Sequence, residues 1–323
     1  MTPIYRFLRI GMVLAVTVVL VAAGGDLAAQ SGRLPMQRAA PPKFDSTSVS
    51  RVFFRSLDDA FRGPRPTRSD LRQAGRQQPM EAPPKASDAG SEQDIWSTLV
   101  SAPTLEDEVK RIKLRYDGTL TSPGAFKSGG YQDARLDLSV LATLFAVISD
   151  YSGDVRWKDQ AAAARDLTAR TAQNCAAGST QVFNEAKLRR ADLQDLVSGA
   201  AITISKPPDP ANDWSAITER TPMMQYIEQL LETLEDESRD AATAESNADS
   251  IRRAAESVAM VGEVLVQEGM DDFDDEDYAL LSRAMSSSAR SVVDALQRED
   301  FESVRAAVGS VSQSCADCHE QYR

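Results

Sequence analysis

An all-α protein, with four-helix bundles in tandem, is the architecture to expect from these 323 residues, on three observations. After residue 215, apolar residues recur at steps of three and four through four successive segments, which is the period of a helix with one buried stripe. Proline gathers outside that region: residues 31–90 hold 8 of the 15 prolines, and few follow residue 95. The stretch 95–205 repeats the pattern of the last third when slid by 118 positions, so the helical unit is present twice.

The N-terminus reads as an export signal over 1–29. Arg6 and Arg9 give the positive end, residues 11–25 the apolar core, and Leu27-Ala28-Ala29 a small-residue cleavage site, with cutting after Ala29. The apolar run is short for a bilayer span. An uncleaved signal would leave the chain membrane-tethered. No Cys follows the apolar core, which argues against a lipid-anchored form.

Residues 30–92 read as a Pro- and Arg-rich disordered linker, because segments such as RGPRPTRSD sustain neither helix nor strand. Residues 51–62, RVFFRSLDDAFR, read as a sticky patch in that linker, with a short helix as the alternative. Residues 93–205 read as a helical unit, and Lys206-Pro207-Pro208-Asp209-Pro210 marks a linker over 206–215.

Four helices follow in 216–323. Their stripes are Met223, Ile227, Leu230, Leu234; then Ile251, Ala254, Val258, Val261, Leu265; then Tyr278, Leu281, Met285, Ala289, Val292, Leu296; then Phe301, Val304, Val308, Val311, Cys315, Cys318. Four such helices with short connections predict an antiparallel bundle. Thr221-Pro222 predicts an N-cap followed by Pro at the first helical position. The acidic run Asp271 to Asp277 precedes the third helix, where negative charge suits the positive end of the helix dipole. It lacks the spacing and glycine of a calcium loop.

At the shift of 118, Ser139 meets Ser257, Asp154 meets Asp272, Asp159 meets Asp277, Arg165 meets Arg283 and Phe183 meets Phe301. Cys175 falls on Val293 and reads as a buried apolar residue. Trp96, Trp157 and Trp214 read as helix anchors.

The net charge of -12 argues against nucleic acid, which calls for a basic patch. Residues 207–323 carry 26 Asp/Glu against 9 Lys/Arg. Such a surface speeds encounter with a partner that presents a basic face.

The chemistry lies in CADCHEQYR at the end of the chain. Cys-x-x-Cys-His is the pattern of covalent haem attachment. On a helix Cys315, Cys318 and His319 stand at i, i+3 and i+4 and share a face. Two thiols so placed can form thioethers with one haem, and the imidazole can reach its iron. A structural zinc site wants four ligands, and this chain has one His and one spare Cys. A thioredoxin-like pair wants a βαβ context. Only four residues follow His319, so a sixth ligand must come from an earlier helix; with no second His, Met or nothing are the candidates.

A haem motif on the last helix of a four-helix bundle, in the run SCADCHEQYR, resembles the class II cytochromes c, the family of cytochrome c′ and its Met-ligated relatives. The resemblance covers about 216–323. It implies one covalently attached haem c on Cys315 and Cys318, with His319 as proximal ligand. In that family the first helix often carries an Arg with an iron-side residue four positions on. Arg220 and Met224 match that spacing, with Met223 one residue off, and Pro222 departs from the pattern by starting the helix late. The family also places a basic residue near the proximal side, which here is Arg323; Tyr322 is expected in the haem vicinity. Members of the family commonly dimerise, so a homodimer is an expected assembly, although no residue of this chain fixes it.

The first copy carries Val197, Ala200 and Ala201 at the motif positions and is expected to be a degenerate, haem-free unit. The expected function is one-electron transfer in the periplasm with a partner of basic docking face. One alternative is a five-coordinate haem that binds NO or CO. Another is a non-redox assembly module with a structural haem. An enzyme is not expected, since the single His belongs to the haem motif and no acid–base set is placed.

Overall fold

The computed structural model describes residues 95–204 and 206–322. The signal over 1–29, the linker over 30–92, the short helix over 51–62 and Arg323 lie outside the described residues. The described chain is all-helical, as expected, with no strand. Among the described residues no helix is long and apolar enough to cross a membrane.

A short helix α1 (Ile95–Leu99) leads into α2 (Ala102–Thr119), α3 (Tyr131–Asp150), α4 (Lys158–Asn174) and α5 (Thr180–Ser198). These four pack in a ring, α2 on α3, α3 on α4, α4 on α5 and α5 back on α2. A second short helix α6 (Trp214–Ile217) precedes α7 (Arg220–Glu237). The small α8 (Ala241–Ser246) then leads to α9 (Ala248–Val264), α10 (Glu276–Gln297) and α11 (Phe301–His319). Here α7, α9, α10 and α11 close a second ring in the same order.

Helix starts follow side-chain chemistry. Ser101 Oγ accepts from Thr104 N at 3.4 Å, Ser179 Oγ from Val182 N at 3.1 Å, and Asp300 Oδ1 from Ser303 N at 3.2 Å. Each satisfies a first-turn N–H that has no partner within its helix. Asp275 closes the acidic run in the same way, accepting from Asp277 N and Tyr278 N. Its carboxyl is held below the usual range by those bonds, that of Tyr278 N first.

The start of α7 differs from expectation. The cap position is Glu219, not Thr221, and the helix begins at Arg220. Pro222 is therefore the third helical residue. It is tolerated because a first-turn N–H has no intrahelical acceptor to lose. Met224 consequently lies beyond the first turn.

The two rings share one core. In α3 every residue from Asp137 to Ile148 is buried, and in α9 every residue from Ala254 to Val264. The sequence predicts a single stripe for α9. Burial on all sides arises because α3 and α9 each meet the other ring as well as their own. The segment over 206–215 is also not a free tether. Arg165, 1% exposed, donates from Nη1 to Ala211 O and Asn212 Oδ1 and from Nη2 to Asp209 O, and Trp214 is buried in α6. Cys175 is fully buried, and burial pushes its thiol up to about 12.

Candidate functional site

Val304, Val308 and Val311 seat α11 against its ring, and the same stripe runs on to Cys315 and Cys318, both half-buried against the core. His319, the last residue of the helix, is exposed. The pair of thiols and the imidazole are thus carried at the end of one helix, as the spacing predicts. Burial pushes the Cys315 thiol up, with Cys318 and then Glu235 adding to the rise. Burial also raises Cys318, while Arg220 pulls it the other way.

The wall opposite comes from α10. Tyr278, Ser282 and Met285 stand at i, i+4 and i+7 on one face. Cys315 Sγ donates to Met285 Sδ at 3.8 Å. Tyr322 lies edge-on to Tyr278, ring centroids 5.1 Å apart. Burial and the Asp275 carboxylate push its hydroxyl up to about 12. Arg220 stacks on the Tyr278 ring from 4.8 Å and is held by Asp272 Oδ2 at 2.6 Å, with Asp271 at 3.7 Å. The acidic run therefore does two things: it caps α10 and it fixes Arg220.

The two methionines of α7 separate. Arg220, Met224, Ile227, Leu231 and Leu234 form one row along the helix, and Arg220 turns that row toward α10 and Cys318. Met223 stands about 100° round the helix from Met224. Its buried sulfur accepts from the Thr143 hydroxyl of α3 at 3.6 Å. Met223 faces the first ring, so the two candidates are not equivalent.

Residues 215–323 match the family model described as Cytochrome C′. These residues form a cytochrome c′-like domain. The match implies a c-type haem. No curated protein and no solved structure matched the chain.

The cytochrome c′-like domain offers chemistry that fits such a group. The donor set is two thiols and an imidazole on one helical face. The Tyr278 and Ser282 hydroxyls lie buried beside each other on the facing wall and bond to no other group. Of the expected site residues, Cys318, Tyr322 and Arg220 come together around Tyr278, and Cys315 lies against Met285 on the same helix; Met223 does not join them, and Arg323 is not described. Tyr278 and Met285 read from the sequence only as core stripe, and Ser282 and Asp272 gave no site signal. Only the closing of α10 on α11 reveals them.

Beside this domain runs an acidic groove between α3 and α7, lined by Asp133, Glu228, Glu232, Glu235 and Asp236 among others. Glu235 reaches α11, accepting from its Ser312 hydroxyl at 2.8 Å.

Proposed function

We propose that this chain is a periplasmic one-electron carrier with a single covalent haem c, held by thioethers to Cys315 and Cys318 and by His319 on the iron. The observation that carries the reading is the end of the α11 stripe: both thiols half-buried with the imidazole beside them, facing a wall whose buried Tyr278 and Ser282 hydroxyls bond only to each other. Bound there, the haem would supply a one-electron iron couple. The residues around it hold it and shape its surroundings. Met224, on the same row as Arg220, is the candidate for the sixth position. Tyr278 and Tyr322 would offer the haem aromatic surface. Arg220, with Asp271 and Asp272, sets the charge near Cys318.

A carrier rather than an enzyme is the reading we favour, because the single His of the sequence belongs to the haem motif. The acidic groove that reaches α11 through Glu235 supports a redox partner with a basic docking face. The leader over 1–29 supports export, with a membrane tether if it stays uncut.

Three measurements test this. Intact mass of protein matured in the periplasm should exceed the polypeptide by one haem, and a bare polypeptide mass would end the reading. The reduced protein should show a sharp low-spin α-band that CO leaves unchanged. A high-spin spectrum that shifts with CO would instead assign a five-coordinate site for NO or CO and remove Met224 as ligand. A haem with no reversible couple in a physiological range would point to a structural role.

A further inference from the structure

The two rings meet each other in an orderly way. Shifting α2, residues 102–119, by 118 gives 220–237, the span of α7. Shifting the start of α4, Lys158, gives Glu276, the start of α10. Shifting α1 lands on α6, and Trp96 falls on Trp214.

Contacts between the rings obey the same shift with the halves exchanged. Helix α1 packs on α9, and its counterpart α6 packs on α3, the counterpart of α9. Likewise α2 packs on α9, and α7 packs on α3. Two contacts join residues to their own counterparts. Trp96 and Trp214 lie with ring centroids 5.9 Å apart, and Tyr226 Oη donates to Glu108 Oε2 at 3.1 Å. A residue that touches its own equivalent lies on a two-fold axis, the mark of a self-complementary interface. The charges there are satisfied across the rings. Glu108, 1% exposed, also takes Arg253 Nε at 3.2 Å, and Ser101 donates to Glu256 Oε2 at 2.7 Å.

We propose that the first ring is a built-in partner subunit. It covers, about a local two-fold axis, the face of α7 and α9 on which the second ring would otherwise meet a copy of itself. The chain is an internal dimer with the motif on one side only, and it does not form a homodimer through this face. The claim concerns the fold and stands whether or not haem is bound.

The test inserts a protease site between the exposed Lys206 and Pro207 of the otherwise full exported chain. After cutting under native conditions, the two pieces should co-elute at the uncut mass. Two folded pieces that elute apart would overturn the proposal. Trp96→Ala and Trp214→Ala should each weaken the association of the cut pieces, and by similar factors, because both reach the axis. Glu108→Gln should weaken it at least about tenfold, the loss of a charge-assisted bond. Tyr226→Phe, which keeps the core shape, supplies a milder variant if Glu108→Gln fails to fold. Leu188→Ala, on an exposed face of α5, should change nothing. The uncut chain should sediment as a monomer. A homodimer of the uncut chain that Trp214→Ala weakens would show this face in use between copies and would also overturn the proposal.

Discussion

Gly262 sits where α9 and α10 touch, and replacing it with Ala tests how tightly the second ring is packed. A Cβ there would lie 2.2 Å from Ser286 Oγ, 2.8 Å from Ser282 O and 3.2 Å from Met285 Cε. The serine hydroxyl can rotate away, but it would then lose its 2.8 Å bond to Ala259 O, a loss of about 1 kcal/mol. The Ser282 carbonyl belongs to the helix and cannot yield without moving α10. Overpacking of this kind costs about 1–3 kcal/mol. Better helix propensity returns about 1 kcal/mol. The net loss is about 2 kcal/mol, or a melting temperature roughly 4–8 °C lower for a fold of this size. Gly309→Ala is the matched control: it lies within α11 with no atom inside 4 Å, and should gain about 0.5–1 kcal/mol. Thermal melts followed by circular dichroism compare the two. A Gly262→Ala protein that melts at or above wild type would refute the close approach. Ser286→Ala added to it should recover only part of the loss, since the carbonyl remains.

Four further outcomes are expected. Met223→Ala removes a fully buried side chain and should cost about 2–5 kcal/mol in denaturant unfolding while leaving the reduced spectrum unchanged. Met224→Ala, half-buried, should cost less stability but convert the spectrum to high-spin; the reverse pattern would exchange their roles. Ser179→Ala should cost about 1 kcal/mol, because Val182 N loses its cap, and amide exchange at the start of α5 should rise. Burial raises Asp137 from 3.8 to about 6 despite Arg115 beside it, so the folded state holds that proton more tightly than the unfolded one. Stability linked to Asp137 is present below about 3.8 and is lost as pH rises to about 6, by about 3 kcal/mol. Relative to Asp137→Asn, wild type should therefore lose stability across that window, read from unfolding midpoints at each pH.

Much of the architecture was legible because helices with one buried face write their period into the sequence. The stripe from Phe301 to Cys318 is the clearest case, and its last two members are the thiols. The repeat was legible from sparse identities such as Phe183 with Phe301, and Trp96 with Trp214 is a further identity at the same shift that the residues already displayed. What was not legible depends on neighbours distant in the chain. Nothing local distinguishes Met223 from Met224; a hydroxyl on Thr143, eighty positions earlier, separates them. The all-round burial of α9 reflects a second ring that its own stripe cannot announce. Thr221-Pro222 carried a valid local start signal, yet α7 begins earlier, because proline is cheap anywhere in a first turn.

The end of α5 has one more consequence. It stops at Ser198, where Gly199 turns at φ 93°, and the Trp157 indole and Arg156 guanidinium hold the Leu196 and Val197 carbonyls. Positions 200 and 201 are therefore off the helix, so planting Cys, Cys and His at 197, 200 and 201 would scatter them rather than align them. Restoring a second acceptor would mean extending the helix through that glycine and removing the side chains that seal its end. The backbone of the first ring thus offers no second helix end that could carry such a motif, quite apart from the absence of cysteines at 197 and 200.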